Sequence, residues 1–391
     1  MNATNTYALV LGLVTILLTG SIGVFNYSTD PYLLFGFDKA NADQLSRIDQ
    51  FNHMRVTKPW YMKEVKATAV IVGSSRSARL HPEHTSWVND RGYNLAAPGM
   101  TPQEILSFIQ HAHAIEPLSK VMIGLDYEAF IRSTPVVRQG FEPGRMASNK
   151  EGLFSISSKL QYINDLADSL FSIQAMSNSL AARTGISPPG RRYFMDGTWE
   201  TTTHFLTGRS GYVYVAKNVV IAHRTGTLDT RDNLLRLAET LRFCHNNNID
   251  TRIFFTPTHV FFVDLWRRLG DEAIWLDFHR QVAALNEHVA AEKGDIPFPL
   301  WGFSHAKGIV NEPIYRKKDT DKAWYDDGVH TRVPLGKIMM DDVWGETAIV
   351  GRRLHSENIE VYLEEIFSLS DQYNRENRQF LNNLRKDIGL H

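Results

Sequence analysis

Short apolar runs of strand length recur along the chain, separated by longer stretches in which apolar residues fall at helical spacing. The runs are residues 69–72, 93–97, 120–125, 252–256 and 296–303. Near-continuous rather than alternating apolarity predicts strands buried on both faces, as in a parallel sheet. Residues 102–115, 231–246 and 271–293 carry the helical spacing. The first of these opens on Thr101-Pro102-Gln103-Glu104, where Thr can cap free N–H groups and Pro suits the first turn. The rhythm predicts an α/β fold, a flavodoxin-like doubly wound parallel sheet with helices on both faces. Its ligands are then expected at the carboxyl ends of the strands.

Three segments depart from this rhythm. Residues 7–27 are apolar with no charge before Asp30, long enough to cross a bilayer as a helix. No Lys or Arg precedes the run and no small-x-small cleavage site follows it, so a membrane anchor is expected rather than a signal peptide. Between about 131 and 228 the periodicity is lost amid Gly, Ser, Arg and aromatic residues. So long a stretch cannot all be loop, and an inserted cap region with a helix near 160–182 is expected. A decorative insertion or an oligomer contact would read the same way. Residues 359–387 are charged with apolar residues at helical spacing, which predicts a C-terminal helix. The chain therefore divides into an anchor (1–29), a lead-in (30–66) broken by Pro31 and Pro59, and an α/β domain (67–391).

Composition narrows the classes. The chain has 391 residues with 42 Lys and Arg against 43 Asp and Glu, so it carries no basic footprint for nucleic acid. The single cysteine, Cys244, rules out an intrachain disulfide framework and cysteine-based zinc sites.

The chemistry lies in two distant pieces. Val70-Ile71-Val72-Gly73-Ser74-Ser75-Arg76-Ser77 runs from a strand into a turn of small residues, and Asp327-Gly328-Val329-His330 lies near the C-terminus. A serine where a strand hands over to a helix is exposed at the carboxyl edge of the sheet, with backbone N–H groups aimed at any developing negative charge. An Asp three residues before a His can reach the imidazole and fix its tautomer. Together these are the makings of a Ser-His-Asp nucleophilic site.

With both pieces in place, the chain resembles the SGNH (GDSL-like) hydrolase superfamily over roughly residues 66–345. The family's Gly-Asp-Ser block looks like Gly73-Ser74-Ser75, which makes Ser75 the nucleophile candidate. Its second block, Asn followed five residues later by an oxyanion Gly, looks like Asn94-Leu95-Ala96-Ala97-Pro98-Gly99. Its Asp-x-x-His block is matched by Asp327 and His330. The Gly-x-Asn-Asp block looks like Gly124-Leu125-Asp126-Tyr127 and departs, with Asp126 where the oxyanion asparagine stands. The resemblance implies catalytic Ser75, His330 and Asp327, with Gly99 and Asp126 at the oxyanion or substrate-binding positions.

An ionised Asp126 would repel a tetrahedral intermediate. It is therefore expected either to be protonated by burial, or to turn away and organise the site, or to mark an impaired enzyme. His259, after the fourth strand, is a candidate pocket residue or else structural. Asp326 rivals Asp327 as the acid; glycines at 328 and 336 suggest a loop and favour Asp327. His81 and His84 flank Pro82 with no third ligand at a recognisable spacing, and His111 and His113 fall on different helix faces. No metal or cofactor is expected.

The resemblance implies a single-pass protein of the bacterial inner membrane with a periplasmic domain. Its expected task is adding or removing O-acetyl groups on a cell-surface or exported polysaccharide, beside a multi-pass membrane acyltransferase as partner. The alternative is a non-catalytic carbohydrate-binding or assembly subunit using the same cleft.

Overall fold

The computed structural model describes residues 3–32, 34–35, 50–131, 137–147, 155–184, 191–201, 207–225, 230–316, 319 and 323–390. Helix α1 (Ala3–Thr29) projects from the rest with most of its apolar surface uncovered, and α2 (Gln50–Val65) leads into the sheet. Pro59 does not break α2 but lies inside it. The Pro59 carbonyl pairs with His111 Nε2 at 2.9 Å, tying α2 to the residues that follow it.

Strand β1 (Ala69–Val72) is buried at every position, as a central parallel strand must be. It pairs in parallel with β2 (Gly92–Asn94) on one side and β3 (Lys120–Leu125) on the other. Helix α3 (Pro102–Ile115) joins β2 to β3 and begins with a full capping box, Thr101 and Glu104 each bonding the other's backbone N–H. After the short α4 (Tyr127–Phe130) come α5 (Ile156–Phe171) and α6 (Ile173–Thr184). An antiparallel hairpin of β4 (Arg191–Tyr193) and β5 (Trp199–Thr201) and then α7 (Gly208–Thr225) complete the inserted region.

The sheet resumes through α8 (Arg231–Asn246) into β6 (Asp250–Phe255) and through α9 (Val260–Leu269) and α10 (Glu272–Lys293) into β7 (Leu300–Gly302). Helix α11 (Val333–Trp344) leads to β8 (Arg352–Leu354), and the chain closes with α12 (Ile359–Glu376) and α13 (Arg378–Asp387). The order β2-β1-β3-β6-β7-β8 makes an α/β sheet parallel except at β8, which runs antiparallel to β7.

The strands expected at 93–97 and 296–303 are shorter, 92–94 and 300–302, and two expected helices are each broken in two. The helix expected near 160–182 is two helices meeting at Ser172, whose extended backbone and side-chain cap to Ala175 N–H turn the chain. The last helix breaks at Asn377 differently, its side-chain amide donating back to the Tyr373 carbonyl.

The chain leaves β1 for β2, then crosses back past β1 to β3. The carboxyl ends of β1 and β3 therefore flank the point where the winding reverses, the place where open α/β sheets bind ligands. Ser75 follows β1 and Asp126 follows β3.

Candidate active site

The turn after β1 is built for close approach. Gly73 adopts φ +141°, and a Cβ there would fall 2.8 Å from the Gly124 carbonyl oxygen of the adjacent strand end. Only glycine tolerates both. The turn lifts Ser75 to the sheet edge, where Ser75 Oγ lies 2.9 Å from His330 Nε2, and His330 Nδ1 lies 2.7 Å from Asp327 Oδ2. Asp327 Oδ1 also accepts the backbone N–H groups of Val329 and His330, so the acid shapes the loop that carries its histidine. Burial pushes the Asp327 carboxyl up, but the charge and hydrogen bond of His330, with Arg79 beyond, bring it down to about 2. Asp326 faces elsewhere: it pairs with Arg79, and Arg332 Nε lies 3.6 Å from it.

Gly99 (φ +59°) stands in the loop after β2. Among the described residues, neither the Ser75 nor the Gly99 N–H donates to a backbone acceptor. The loop is held from below by buried groups. Glu104, fully buried, accepts from Arg55 Nε and Nη2 (2.9 and 2.8 Å), Arg138 N–H (2.8 Å) and Thr101 N–H (3.0 Å). Arg55 in turn donates to the Pro98 carbonyl and Arg138 Nε to that of Gly99. Lys58 Nζ reaches the carbonyls of Asn94, Ala96 and Gly197, and burial lowers its pKa to about 7. Asn94 ties the same loop to the turn after β1, donating to the carbonyls of Ser77 and Leu80.

Asp126 is engaged as an acceptor. Its Oδ1 takes the Thr256 hydroxyl at 2.6 Å, and the Ser74 hydroxyl bonds it as well. Burial raises its pKa, while the Arg76 guanidinium and these two hydroxyls act the other way. Arg76 spans the neighbouring strand ends, on Glu128 at 2.6 Å and Thr258 Oγ1 at 3.2 Å.

His259 is not a pocket residue. It is fully buried, its Nε2 bonding the Glu312 carbonyl at 2.8 Å and its Nδ1 accepting Phe261 N–H to cap α9. Burial lowers its pKa to about 4. Its backbone N–H holds the Gly328 carbonyl at 2.8 Å, so its contribution is to fix the loop of Asp327 and His330.

Besides Arg138, described residues of the inserted region reach the site from β5 and α7. Trp199 of β5 lies beside the His330 ring, 6.2 Å between centroids, with the Arg79 guanidinium 4.3 Å from the Trp199 ring centre. The Gly208 N–H that opens α7 donates to the Asp326 carbonyl, and Tyr212 packs on His259. A cavity of about 160 Å³ lies alongside, lined by Arg79, Glu200, Asp326 and Arg332 among others. Arg55, Glu104, Lys58 and Trp199 carry no sequence signal of this role: their positions depend on chain crossings far apart in number. Only the Thr101–Glu104 cap marks one of them locally.

The hairpin is clasped by His81, whose Nδ1 and Nε2 lie 3.0 and 2.9 Å from Asp196 and Glu200. The hydrogen bonds to Asp196 and then Glu200 raise its pKa to about 10. A histidine pKa raised on folding contributes stability that is complete below about pH 6.5 and is lost as pH rises through about 10. Thermal unfolding from pH 6.5 to 10 should therefore show a falling midpoint in the wild type and a flatter one in His81→Gln. Parallel curves would show that the clasp is not coupled to folding.

No known family model matches the chain, and no curated protein matches it significantly.

Proposed function

We propose that the protein is a membrane-anchored serine esterase or O-acyltransferase of the SGNH type, adding or removing O-acetyl groups on a bacterial cell-surface or exported polysaccharide. The observation that carries this reading is the continuous relay from Ser75 Oγ through His330 to Asp327, at 2.9 and 2.7 Å. Hydrogen-bond reach from nucleophile to base and from base to orienting acid is the geometry that acyl transfer requires.

In the proposed mechanism Ser75 Oγ attacks the ester carbonyl while His330 takes its proton. The Ser75 and Gly99 N–H groups receive the oxyanion, and His330 returns the proton to the departing sugar oxygen. Water or an acceptor hydroxyl, deprotonated by His330, then attacks the acyl-Ser75 carbonyl and frees the serine. Asp327, ionised down to about pH 2, keeps the imidazole oriented throughout.

Helix α1, 27 residues long and almost wholly exposed, is long and apolar enough to span a bilayer, which supports the anchor. Placement in the inner membrane, a periplasmic site and a multi-pass acyltransferase partner rest on the family resemblance.

A fluorophosphonate probe applied to the full-length protein in detergent tests the reading. It should label the wild type and not Ser75→Ala. An unlabelled wild type would instead favour the non-catalytic carbohydrate-binding subunit, a reading that Asp126 in place of the family's asparagine keeps open.

Asp126 itself is tested by pH. As an acceptor for Ser74 and Thr256 it serves the strand ends, so Asp126→Asn should lower activity only modestly, about tenfold or less, with the alkaline side of the pH profile unchanged. Were a protonated Asp126 donating to the oxyanion, wild-type activity would fall as pH rises through its raised pKa, and the Asn variant would escape that fall.

A further inference from the structure

Helix α5 is amphipathic the wrong way round for a soluble domain, and α6 adds exposed apolar residues beside it. In α5 the buried residues are Ser158, Asp165 and Ser169, while Ile156, Leu160, Ile163 and Phe171 are exposed. In α6 Asn178 and Ser179 are buried beside Ala175 and Ala182, while Ile173, Met176 and Leu180 face out. The exposure is substantial, 79% for Ile156 and 82% for Ile173. Spacings of four, three and eight residues put the α5 set on one stripe. The larger inward polar groups, Asp165 and Asn178, are hydrogen-bonded, whereas the buried Ser179 hydroxyl has no partner among the described residues. Asp165 accepts Trp60 Nε1 at 2.6 Å and Arg145 through two nitrogens at 2.7 and 2.8 Å. Asn178 donates to the Tyr32 hydroxyl at 3.0 Å.

What covers the stripe is indicated by its neighbour. Both helices pack on α1. Phe171 lies directly over Gly23, Asn26 Nδ2 donates to the Leu170 carbonyl at 2.8 Å, and Arg183 donates to Thr29 Oγ1 and the Ser28 carbonyl. Counted from Tyr7, where the apolar run begins, about 20 residues at roughly 1.5 Å each cover a bilayer core of about 30 Å and end near Tyr27, among these contacts. The corner between α5 and α6 thus meets α1 at the level where the hydrocarbon gives way to headgroups. The exposed Val24 of α1 continues the apolar surface at that level.

We infer that the α5–α6 hairpin is an interfacial membrane element. Its outward stripe is seated at the acyl–headgroup boundary of the bilayer that α1 crosses. The hairpin also holds Trp60 of α2, and α2 supplies Arg55 and Lys58 to the oxyanion loop, so this seating sets how the catalytic edge stands relative to the membrane. The inference rests on the anchor reading of α1 and goes beyond it.

The test uses the full-length chain in phosphatidylcholine vesicles carrying doxyl-labelled lipid. Cys244 is fully buried, and burial pushes its thiol up to about 12, so it stays unlabelled in the folded protein. An environment-sensitive fluorophore is attached to Leu160→Cys or Ile173→Cys, with Leu11→Cys as the anchor control. Ile296→Cys, 87% exposed before β7, is the aqueous control. The inference expects blue-shifted emission and at least twofold lipid quenching at 160 and 173, approaching that at 11, with none at 296. If 11 is quenched while 160 and 173 behave as 296, the hairpin inference is overturned and the anchor stands. If none is quenched, both fail. A blue shift at 160 and 173 without lipid quenching would place them against protein, which also overturns the inference.

Discussion

Ser75→Ala should abolish ester turnover, lowering kcat by roughly 10⁴–10⁶-fold while leaving the protein folded. The side chain removed is small and only half-buried, and among the described residues its hydrogen bond is to His330 alone, so stability has little reason to change. His330→Ala should cost a similar amount, and the double variant little more than either, because nucleophile and base act as one unit. Asp327→Asn should cost about 10⁴-fold, since an amide facing Nδ1 favours the wrong tautomer. Steady-state hydrolysis of an aryl acetate, beside circular dichroism of each variant, makes the comparison. Turnover that survives Ser75→Ala would remove the serine mechanism altogether. Additive losses in the double variant would mean that the 2.9 Å contact is not a working relay.

The second large effect is expected at Glu104, which touches no substrate. Its carboxylate is completely buried and collects four hydrogen bonds, two of them from Arg55. Removing one member of a buried ion pair leaves the other charge stranded, at a cost of about 3–5 kcal/mol, and the lost capping box adds about 1 kcal/mol. Glu104→Ala should therefore lower the urea midpoint sharply, and Glu104→Gln less, because the amide keeps the shape and part of the acceptor capacity. Among molecules that remain folded, kcat should fall by up to about 10²-fold with KM little changed. The carbonyls of Pro98 and Gly99 would lose their fixed donors, and the Gly99 N–H with them its aim. A variant of normal stability would mean that Arg55 finds another partner. Loss of stability with full kcat in the folded fraction would separate the buried network from the oxyanion loop.

The contrast between these two sites shows what the amino-acid order states locally. Glycine before a serine pair at the end of an all-apolar strand, and an acid three residues before a histidine, are signals carried within a few residues. Buried β1, the capped α3 and the β-strand rhythm are equally local, because period and capping are properties of a short stretch. The exposed α1 announces itself by length and lack of charge. The triad needed one step more. The winding reversal between β1 and β3 follows from connection rules, but that Ser75 and His330, 255 residues apart, meet at 2.9 Å is a tertiary fact.

What the tertiary structure alone decided is everything that depends on which surface a residue is given. His259 had the right place, after a strand end, and the wrong direction: the fold turns it inward to hold the Gly328 carbonyl rather than a substrate. Asp126 had the position of a donor and became an acceptor, because Ser74 and Thr256 converge on it from neighbouring strand ends. In the inserted region α5 carries its apolar residues at helical spacing but on the exposed side, which defeats a rule assuming that the apolar stripe faces the core. Residue type and spacing determine an element's own shape and chemistry. Its orientation, and hence its role, is set by neighbours brought in from far along the chain.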